Sequence, residues 1–164
     1  TWSSDPALIP VGARIEQSQS VIEKDAALAQ LENVLTGTPR TGKEVAIGLC
    51  EIDHAPARGL ADEVIGTVGA TARSVLRHGD VVARWDAGRL LLLMRGVHHL
   101  RGAMRVANKA RVAVEVAGDG HTVSIGVTMV IHGESTEAVL ARAAEALDDA
   151  RKLTSNSVAS SPRI

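Results

Sequence analysis

The run VAIGLCEI at residues 45–52 constrains the fold of this chain more than any other feature. It is short, nearly all apolar and followed by polar and proline-containing residues, which is the pattern of a strand buried at the centre of a sheet. Such a strand needs neighbouring strands and covering helices, so the rest of the chain must supply both.

The remaining apolar segments have the spacing of those elements. The pattern is helical over 21–35, 61–78, 99–114 and a last segment capped by Ser135, and strand-like over a hairpin at 81–94 and over 122–131. Gly79 is expected to cap the second helix in the left-handed conformation. The order of elements predicts an α/β domain of the α+β kind, with a central mixed or antiparallel sheet flanked by helices.

The two ends of the chain differ from its middle. Residues 1–20 contain prolines, serines and glutamines without a sustained period, which indicates a linker or an irregular cap. The domain is predicted to span 21–158, and the serine-rich end suggests a loose tail at 159–164. Because the chain starts at Thr1 without Met, we expect it to be part of a longer protein whose other domains are its partners.

Composition excludes several classes of function. The chain has no Phe or Tyr, two Trp and a net charge of -1, so it lacks the stacking platforms and the basic excess of proteins that bind nucleic-acid polymers. No stretch approaches the ~20 apolar residues of a membrane span, and the N-terminal residues lack the charged region followed by a long apolar core that is typical of a secretory leader. These features predict a cytoplasmic protein without direct membrane insertion.

Several motifs carry no chemistry in this context. GTPRTGK at 37–43 has the letters of a phosphate-binding loop, but a helix precedes it, a strand follows it, and Glu44 stands where a Ser or Thr would hold magnesium. Cys50 lies in an apolar run and is expected to be a buried, inert thiol. The six histidines have no metal-ligand spacing, and no metal site is predicted from them.

Two charged pairs are better candidates for a site. Glu51 and Asp53 lie two residues apart at the end of the buried strand, so they share a face where a divalent cation could bind. Arg77 and Asp80, in the sequence RHGD, are expected to project from one exposed corner, where they could bind a guanine edge and a phosphate. The alternative for the second pair is a surface ion pair worth about 0–1 kcal/mol.

The segment 45–156, about two-thirds of the chain, resembles a GGDEF domain, the diguanylate cyclase family that joins two GTP molecules into cyclic di-GMP. The resemblance rests on motifs in register with those of the family: LCEIDH, ADEVI, RHGDVVARWDAGRLLLLM, TVSIGV and ARAAEALDDARKLTSNSV. It implies the nucleotidyl-cyclase-like palm fold and a role in bacterial cyclic di-GMP signalling.

The same resemblance implies a degenerate active site. The family's signature turn falls on Asp86-Ala87-Gly88-Arg89-Leu90, which keeps neither the leading glycines nor the acidic residues in their places. In active members the glycines admit the nucleotide and the next acidic residue helps to bind metal ions. We therefore expect no cyclase activity, no catalytic residues and no required cofactor.

Three residues match nucleotide-contacting positions of the family. Glu51 falls on the first metal carboxylate, Asp62 on a guanine-binding Asp and Arg151 on a phosphate-binding Lys. The resemblance implies a vestigial nucleotide site at these residues, which one hypothesis uses for GTP binding without turnover.

The resemblance also places Arg77 and Asp80 on the family's RxxD inhibitory site, which binds cyclic di-GMP with help from a basic residue on the next helix. Lys109 falls near that position, and Arg105 and Arg111 lie one turn or less away. The leading hypothesis is a regulatory receptor for cyclic di-GMP. The competing hypothesis is a ligand-free scaffold, a homodimerisation or regulatory module that acts on other domains of its chain.

Overall fold

The computed structural model describes residues 21–37, 44–86, 88–117 and 119–163. The helices in this part of the chain are α1 (Lys24–Thr36), α2 (Asp62–Ser74), α3 (Leu100–Val116) and α4 (Thr136–Leu153). The strands are β1 (Glu44–Ile52), β2 (Val81–Asp86), β3 (Arg89–Val97), β4 (Val123–Met129) and β5 (Val158–Ser161). The expected linker at 1–20 lies outside the described residues.

The strands form one five-stranded sheet in the order β2-β3-β1-β4-β5. β1 is antiparallel to both of its neighbours, β2 is antiparallel to β3, and β5 runs parallel to β4. The sheet is therefore mixed, and the prediction that 45–52 forms its central strand is confirmed. The α+β fold class is confirmed as well.

Helices cover both faces of the sheet because successive side chains of a strand point to opposite sides. From β1, Ala46, Cys50 and Ile52 enter the core under α2 and α3. Ile47 and Leu49 enter the core under α1 and α4. With no Phe or Tyr in the chain, both cores are made largely of aliphatic side chains. The apolar character of the whole strand follows from this double burial.

Polar caps fix where two helices begin. The Ser135 side chain accepts a hydrogen bond of 3.1 Å from the Ala138 backbone N–H, which confirms the predicted cap of α4. His99 caps α3 through Nδ1, which accepts a bond of 3.0 Å from the Gly102 N–H. Both caps satisfy backbone donors that have no partner within their own helix.

α4 is held tightly against the sheet. A Cβ at Gly126 would overlap the α4 backbone at Leu147 and Ala143, so only glycine allows this approach of helix to strand. Before the helix, Glu134 forms two bonds with the Arg142 guanidinium, which also donates to the Met129 carbonyl at 2.8 Å. Together these contacts fix the position of α4 and of the residues that follow it.

Two sequence expectations are wrong at element ends. α2 ends at Ser74 rather than at 78, and the φ of Gly79 is not positive, so Gly79 is no left-handed cap. The backbone after α2 is held instead by the buried carboxylate of Asp80. The predicted loose tail is partly ordered, because 158–161 form β5, and the Thr128 hydroxyl donates a bond of 2.8 Å to the Ser161 carbonyl.

Before α1, the described part of the chain forms one isolated β-bridge with the edge of the sheet. Ile22 pairs in parallel with Ala83 on the outer edge of β2, donating to the Val82 carbonyl at 2.9 Å and accepting from the Arg84 N–H at 2.8 Å. The bridge covers the edge of β2 at that point. No helix among the described residues has the length and apolarity needed to cross a membrane.

Candidate functional site

The first candidate site lies where β1 ends. Glu51 is paired across the sheet with Arg89 of β3 and Ser124 of β4. The last turn of α4 brings Arg151 to the same place, with its Nε 2.8 Å from Oε2 of Glu51. The Glu51 side chain is 26% exposed and that of Arg151 52% exposed. The structure thus brings together two of the three residues that the sequence predicts for a vestigial nucleotide site, and their charges neutralise each other.

The β2–β3 hairpin beside this pair contains a second ion pair. Arg89 Nε donates to Asp86 Oδ1 at 2.8 Å, and Nη2 donates to the other carboxylate oxygen. This fork raises the pKa of Arg89, and the nearby charge of Glu51 adds to the effect. The side chains of Asp86 and Arg89 therefore bind each other across the turn.

The backbone of the turn is close to the loop that follows β1. Gly88 has a φ of +80°, and its carbonyl accepts a bond of 2.9 Å from the Ile52 N–H. A Cβ on Gly88 would lie 4.0 Å from the side chains of Ala55 and Leu60. These two side chains lie where the hairpin backbone faces the loop after β1. Ala87 lies outside the described residues.

Asp53 does not provide an open carboxylate for a cation. Its two oxygens accept bonds of 2.7 Å from Thr122, 2.7 Å from Ser124 and 2.9 Å from the Asn156 N–H. The residue is 9% exposed, so these donors replace water. Glu51 and Asp53 are therefore both engaged, and no group of three His, Cys, Asp or Glu in the described chain could hold a metal ion.

Cys50 is buried beside these carboxylates and is unpaired within the described residues. Burial raises the pKa of its thiol, and the negative charges of Asp53 and Glu51 raise it further. A thiol that stays protonated is a poor nucleophile, which agrees with the predicted inert cysteine.

Asp62 is separate from the Glu51–Arg151 pair. It opens α2, its side chain is 95% exposed, and its carboxylate lies 3.7 Å from Nη1 of Arg84. Arg84 also donates to the Asp62 carbonyl at 3.2 Å and reaches Glu23 at 4.0 Å. No hydrogen bond or ion pair of the described residues joins Asp62 to the other two members of the predicted site.

The second candidate site is the corner after α2, where the structure corrects the sequence expectation. The Asp80 side chain is 1% exposed, whereas that of Arg77 is 55% exposed. Asp80 accepts from the backbone N–H of Arg77 at 3.0 Å and of Arg95 at 2.9 Å. Only the guanidinium projects from the corner. The carboxylate is turned inward, where it accepts hydrogen bonds from two backbone N–H groups near the ends of α2 and β3 that would otherwise have no partner.

Arg77 is nevertheless held in one orientation. Its Nη2 donates to the Arg95 carbonyl at 2.7 Å, and its Nε lies 3.7 Å from Asp80. A guanidinium has five donors, so these contacts leave others free for a ligand. The corner therefore presents an ordered, half-exposed cation.

The third predicted ligand residue, Lys109, is exposed on α3. No described hydrogen bond or ion pair connects it with Arg77 or Asp80. Arg111 is committed elsewhere: it bonds to the Asn108 side chain at 2.8 Å and to the Asn156 side chain at 3.0 Å. Arg111, one of the basic residues of this helix that the sequence places near the predicted ligand site, is thus held by its neighbours.

Sequence reasoning missed Asn156. It has a φ of 42°, bonds through its N–H to Asp53, and donates from its side chain to Glu115 at 2.6 Å. It thereby connects the end of β1 with α3. An Asn after a helix end is a known signal for the left-handed conformation, but its long-range partners could not be read from the sequence.

Comparisons with known proteins agree with the fold described above. A family model described as "Diguanylate cyclase, GGDEF domain" matches residues 23–157. The diguanylate cyclase SiaD of Pseudomonas aeruginosa, solved in complex with its activator SiaC, is similar at a TM-score of 0.75 and 20% identity, over 96% of this chain and 68% of that one. A search of curated proteins found no match.

Two isolated GGDEF domains are similar over nearly their whole length. That of YfiN from Pseudomonas aeruginosa has a TM-score of 0.74 and 18% identity, over 87% of this chain and 97% of that one. That of DgcB from Caulobacter crescentus, solved in complex with c-di-GMP, has a TM-score of 0.70 and 18% identity, over 87% and 92%. With the family model matching most of the residues, the chain belongs to the GGDEF domain family of diguanylate cyclases.

Proposed function

We propose that this domain is a catalytically silent member of its family with a regulatory role in cyclic di-GMP signalling. The observation that supports the proposal most directly is the closed set of ion pairs at the end of β1. Glu51 is bound by Arg151, and Asp86 is bound by Arg89. Two-metal phosphoryl transfer needs carboxylates that are free to hold metal ions beside a nucleotide. Both of these carboxylates are already paired with an arginine guanidinium.

The surrounding contacts argue in the same direction. Asp53 is saturated by three donors, and Gly88 offers no side chain where the family has an acidic residue. Binding of GTP without turnover would require the Glu51–Arg151 ion pair to open. The other residue of that hypothesis, Asp62, is paired with Arg84 of β2 instead. We therefore rank GTP binding below a purely regulatory role.

The test is incubation of the domain with GTP and magnesium, followed by chromatographic measurement of cyclic di-GMP, with an active diguanylate cyclase as the positive control. We expect no product from this domain. A variant that restores the family letters in the turn, Asp86→Gly, Ala87→Gly, Gly88→Asp and Arg89→Glu, is also expected to be inactive because Arg151 still occupies Glu51. Product from the unmodified domain would refute the proposal.

Cyclic di-GMP binding through Arg77 is the second candidate function. The specific observation in its favour is that Arg77 is half-exposed yet fixed by Asp80 and by the Arg95 carbonyl. A cation held in place loses little side-chain entropy when an anion binds, which favours recognition of phosphate. Calorimetric titration with cyclic di-GMP, beside the Arg77→Ala protein, tests it: we expect micromolar binding that the substitution abolishes.

Absence of binding at high protein concentration would remove this second candidate. The silent domain would then be a ligand-independent scaffold for the rest of its chain, and a dimer whose stability ignores cyclic di-GMP in sedimentation experiments would support that role.

A further inference from the structure

The two layers of helices that cover the sheet differ in charge. The helices α2 and α3 lie on one face of the sheet and together contain five basic and three acidic residues. The helices α1 and α4 lie on the other face and together contain four basic and six acidic residues. One helical layer therefore carries a charge of +2 and the other a charge of -2, although the net charge of the chain is only -1.

The positive charge is concentrated on the outer face of α3. Arg101, Arg105 and Lys109 are all exposed, and a spacing of four residues places them in one row along about 12 Å of the helix. None of the three forms an ion pair with another described residue. The same row continues with Val112 and Val116, which are 37% and 75% exposed. We call these five residues the α3 row.

The neighbours of the α3 row leave most of its charge unbalanced. Glu115, the acidic residue of α3, lies 3.7 Å from Arg111 in an ion pair. On α2, Asp62 is paired with Arg84 at 3.7 Å, and Glu63 is the remaining exposed carboxylate. Three cations thus stand against one carboxylate that has no ion pair. A cationic row that ends in exposed valines fits a partner that is acidic and partly apolar.

The outer side of α4 is such a surface. Its exposed acidic residues are Glu137, Glu145 and Asp148. None of them forms an ion pair with another described residue. The first two are eight residues apart, which is also the spacing between the first and the last cation of the α3 row. The exposed Ala138 and Ala141 lie between them, and Lys152 lies beyond them in the last turn.

We propose that one copy of this chain binds another head to tail, with the α3 row of one copy against the acidic side of α4 of the next. The two surfaces lie on opposite faces of the sheet, so a domain cannot join its own. Each pair keeps one surface of each kind free, so stacks lengthen with concentration. Exposed ion pairs are weak and screened by salt, so the association is weak and strongest at low ionic strength. This inference goes beyond the proposed function and does not depend on a nucleotide.

Charge reversal on each surface tests the contact. The α3 variant combines Arg101→Glu with Arg105→Glu, the α4 variant combines Glu145→Lys with Asp148→Lys, and a third protein carries all four changes. The four positions are exposed and Glu and Lys are good helix formers, so all three proteins are expected to fold, which circular dichroism checks. The third protein keeps the net charge of the unmodified chain, so it separates the effect of the two surfaces from that of net charge.

The measurement is sedimentation velocity without nucleotide, up to millimolar protein, at about 0.01 M and 0.15 M salt, where the Debye length is about 30 Å and 8 Å. We expect the unmodified chain to sediment faster as its concentration rises at the lower salt, and the effect to weaken at the higher salt. Each single-surface variant should associate at least about tenfold more weakly. The third protein should associate at least about threefold more tightly than either of them, because its charges are reversed on both surfaces.

The variant Arg77→Ala separates this contact from the predicted ligand site, and it should associate like the unmodified chain. An unmodified chain that stays monomeric at every concentration would overturn the inference. So would single-surface variants that associate as tightly as the unmodified chain, or a third protein that associates as weakly as they do. Each of these results would leave the proposed catalytic silence untouched, because that proposal depends on the ion pairs at the end of β1.

Discussion

Replacement of Asp80 by alanine distinguishes a structural carboxylate from one reserved for a ligand. The Asp80 carboxylate pairs two backbone N–H groups, those of Arg77 and Arg95, and its side chain is 1% exposed. Each buried donor left without a partner costs about 1–3 kcal/mol. Because both donors are only partly buried and water will replace some of the loss, we expect destabilisation by about 2–4 kcal/mol.

For a domain of this size each kcal/mol lowers the melting temperature by about 2–4 °C, so Asp80→Ala should melt roughly 5–15 °C lower. The matched control is Asp62→Ala, because the Asp62 side chain is 95% exposed and its ion pair is at 3.7 Å. That change should stay within about 0.5 kcal/mol of the unmodified protein. Differential scanning calorimetry of the three proteins at one pH measures both effects.

Equal stability of Asp80→Ala and Asp62→Ala would refute a structural role for the Asp80 carboxylate. In that case water would satisfy the backbone donors without cost, and the carboxylate would be free for another role. Asp80→Asn gives a finer test. Its amide oxygen can accept one of the two bonds, but its NH₂ group faces the other donor, so its stability should fall between those of the unmodified protein and Asp80→Ala.

Three further changes test the packing around the candidate sites. The hydrogen bond from Arg142 lowers the pKa of Glu134 in the folded protein. The charged Glu134 therefore stabilises the fold above its unfolded pKa of about 4.3, and this stabilisation is lost as the pH falls through the folded pKa. Unfolding experiments below about pH 4.5 should show a loss of stability in the unmodified protein that Glu134→Gln does not show. Gly126→Ala should destabilise by about 1–3 kcal/mol or more through overlap with the α4 backbone, whereas equal stability of Gly126→Ala and Gly79→Ala would contradict that view. Asp53→Ala should lower the melting temperature, because three hydrogen-bond donors lose their acceptor; an unchanged value would show that they find other partners.

The sequence predicted elements well where periodicity and burial agree. The central strand is apolar on both faces because it is covered on both, and Ser135 caps α4 as its spacing indicates. Prediction from the sequence was wrong where the local composition suggests one structure and tertiary contacts impose another. The serines near the C-terminus suggested disorder, yet the backbone there pairs with β4 and the Ser160 hydroxyl bonds to the Pro162 carbonyl at 2.7 Å.

Site prediction had a similar limit. Residue types matched to a family indicated that Glu51 and Arg151 share a location, and the two side chains are in contact. The pattern could not indicate whether a matched side chain is free. Asp80 and Asp53 have the right identity for ligand contacts, but both are satisfied by donors distant in sequence, and such pairing depends on three-dimensional packing rather than on spacing.

The first bridge and the last strand attach the chain to opposite edges of the sheet. Ile22 lies outside β2, and β5 forms the other edge, so roughly 24 Å separate the two attachments at about 4.8 Å for each of the strand spacings between them. A force pulling the attachments apart would act along the interstrand hydrogen bonds. It would break these bonds one after another, whereas a force parallel to the strands would load all of them at once. Under a force that pulls the attachments apart, the bridge at Ile22 and the four-residue β5 are expected to be the first of the described elements to detach.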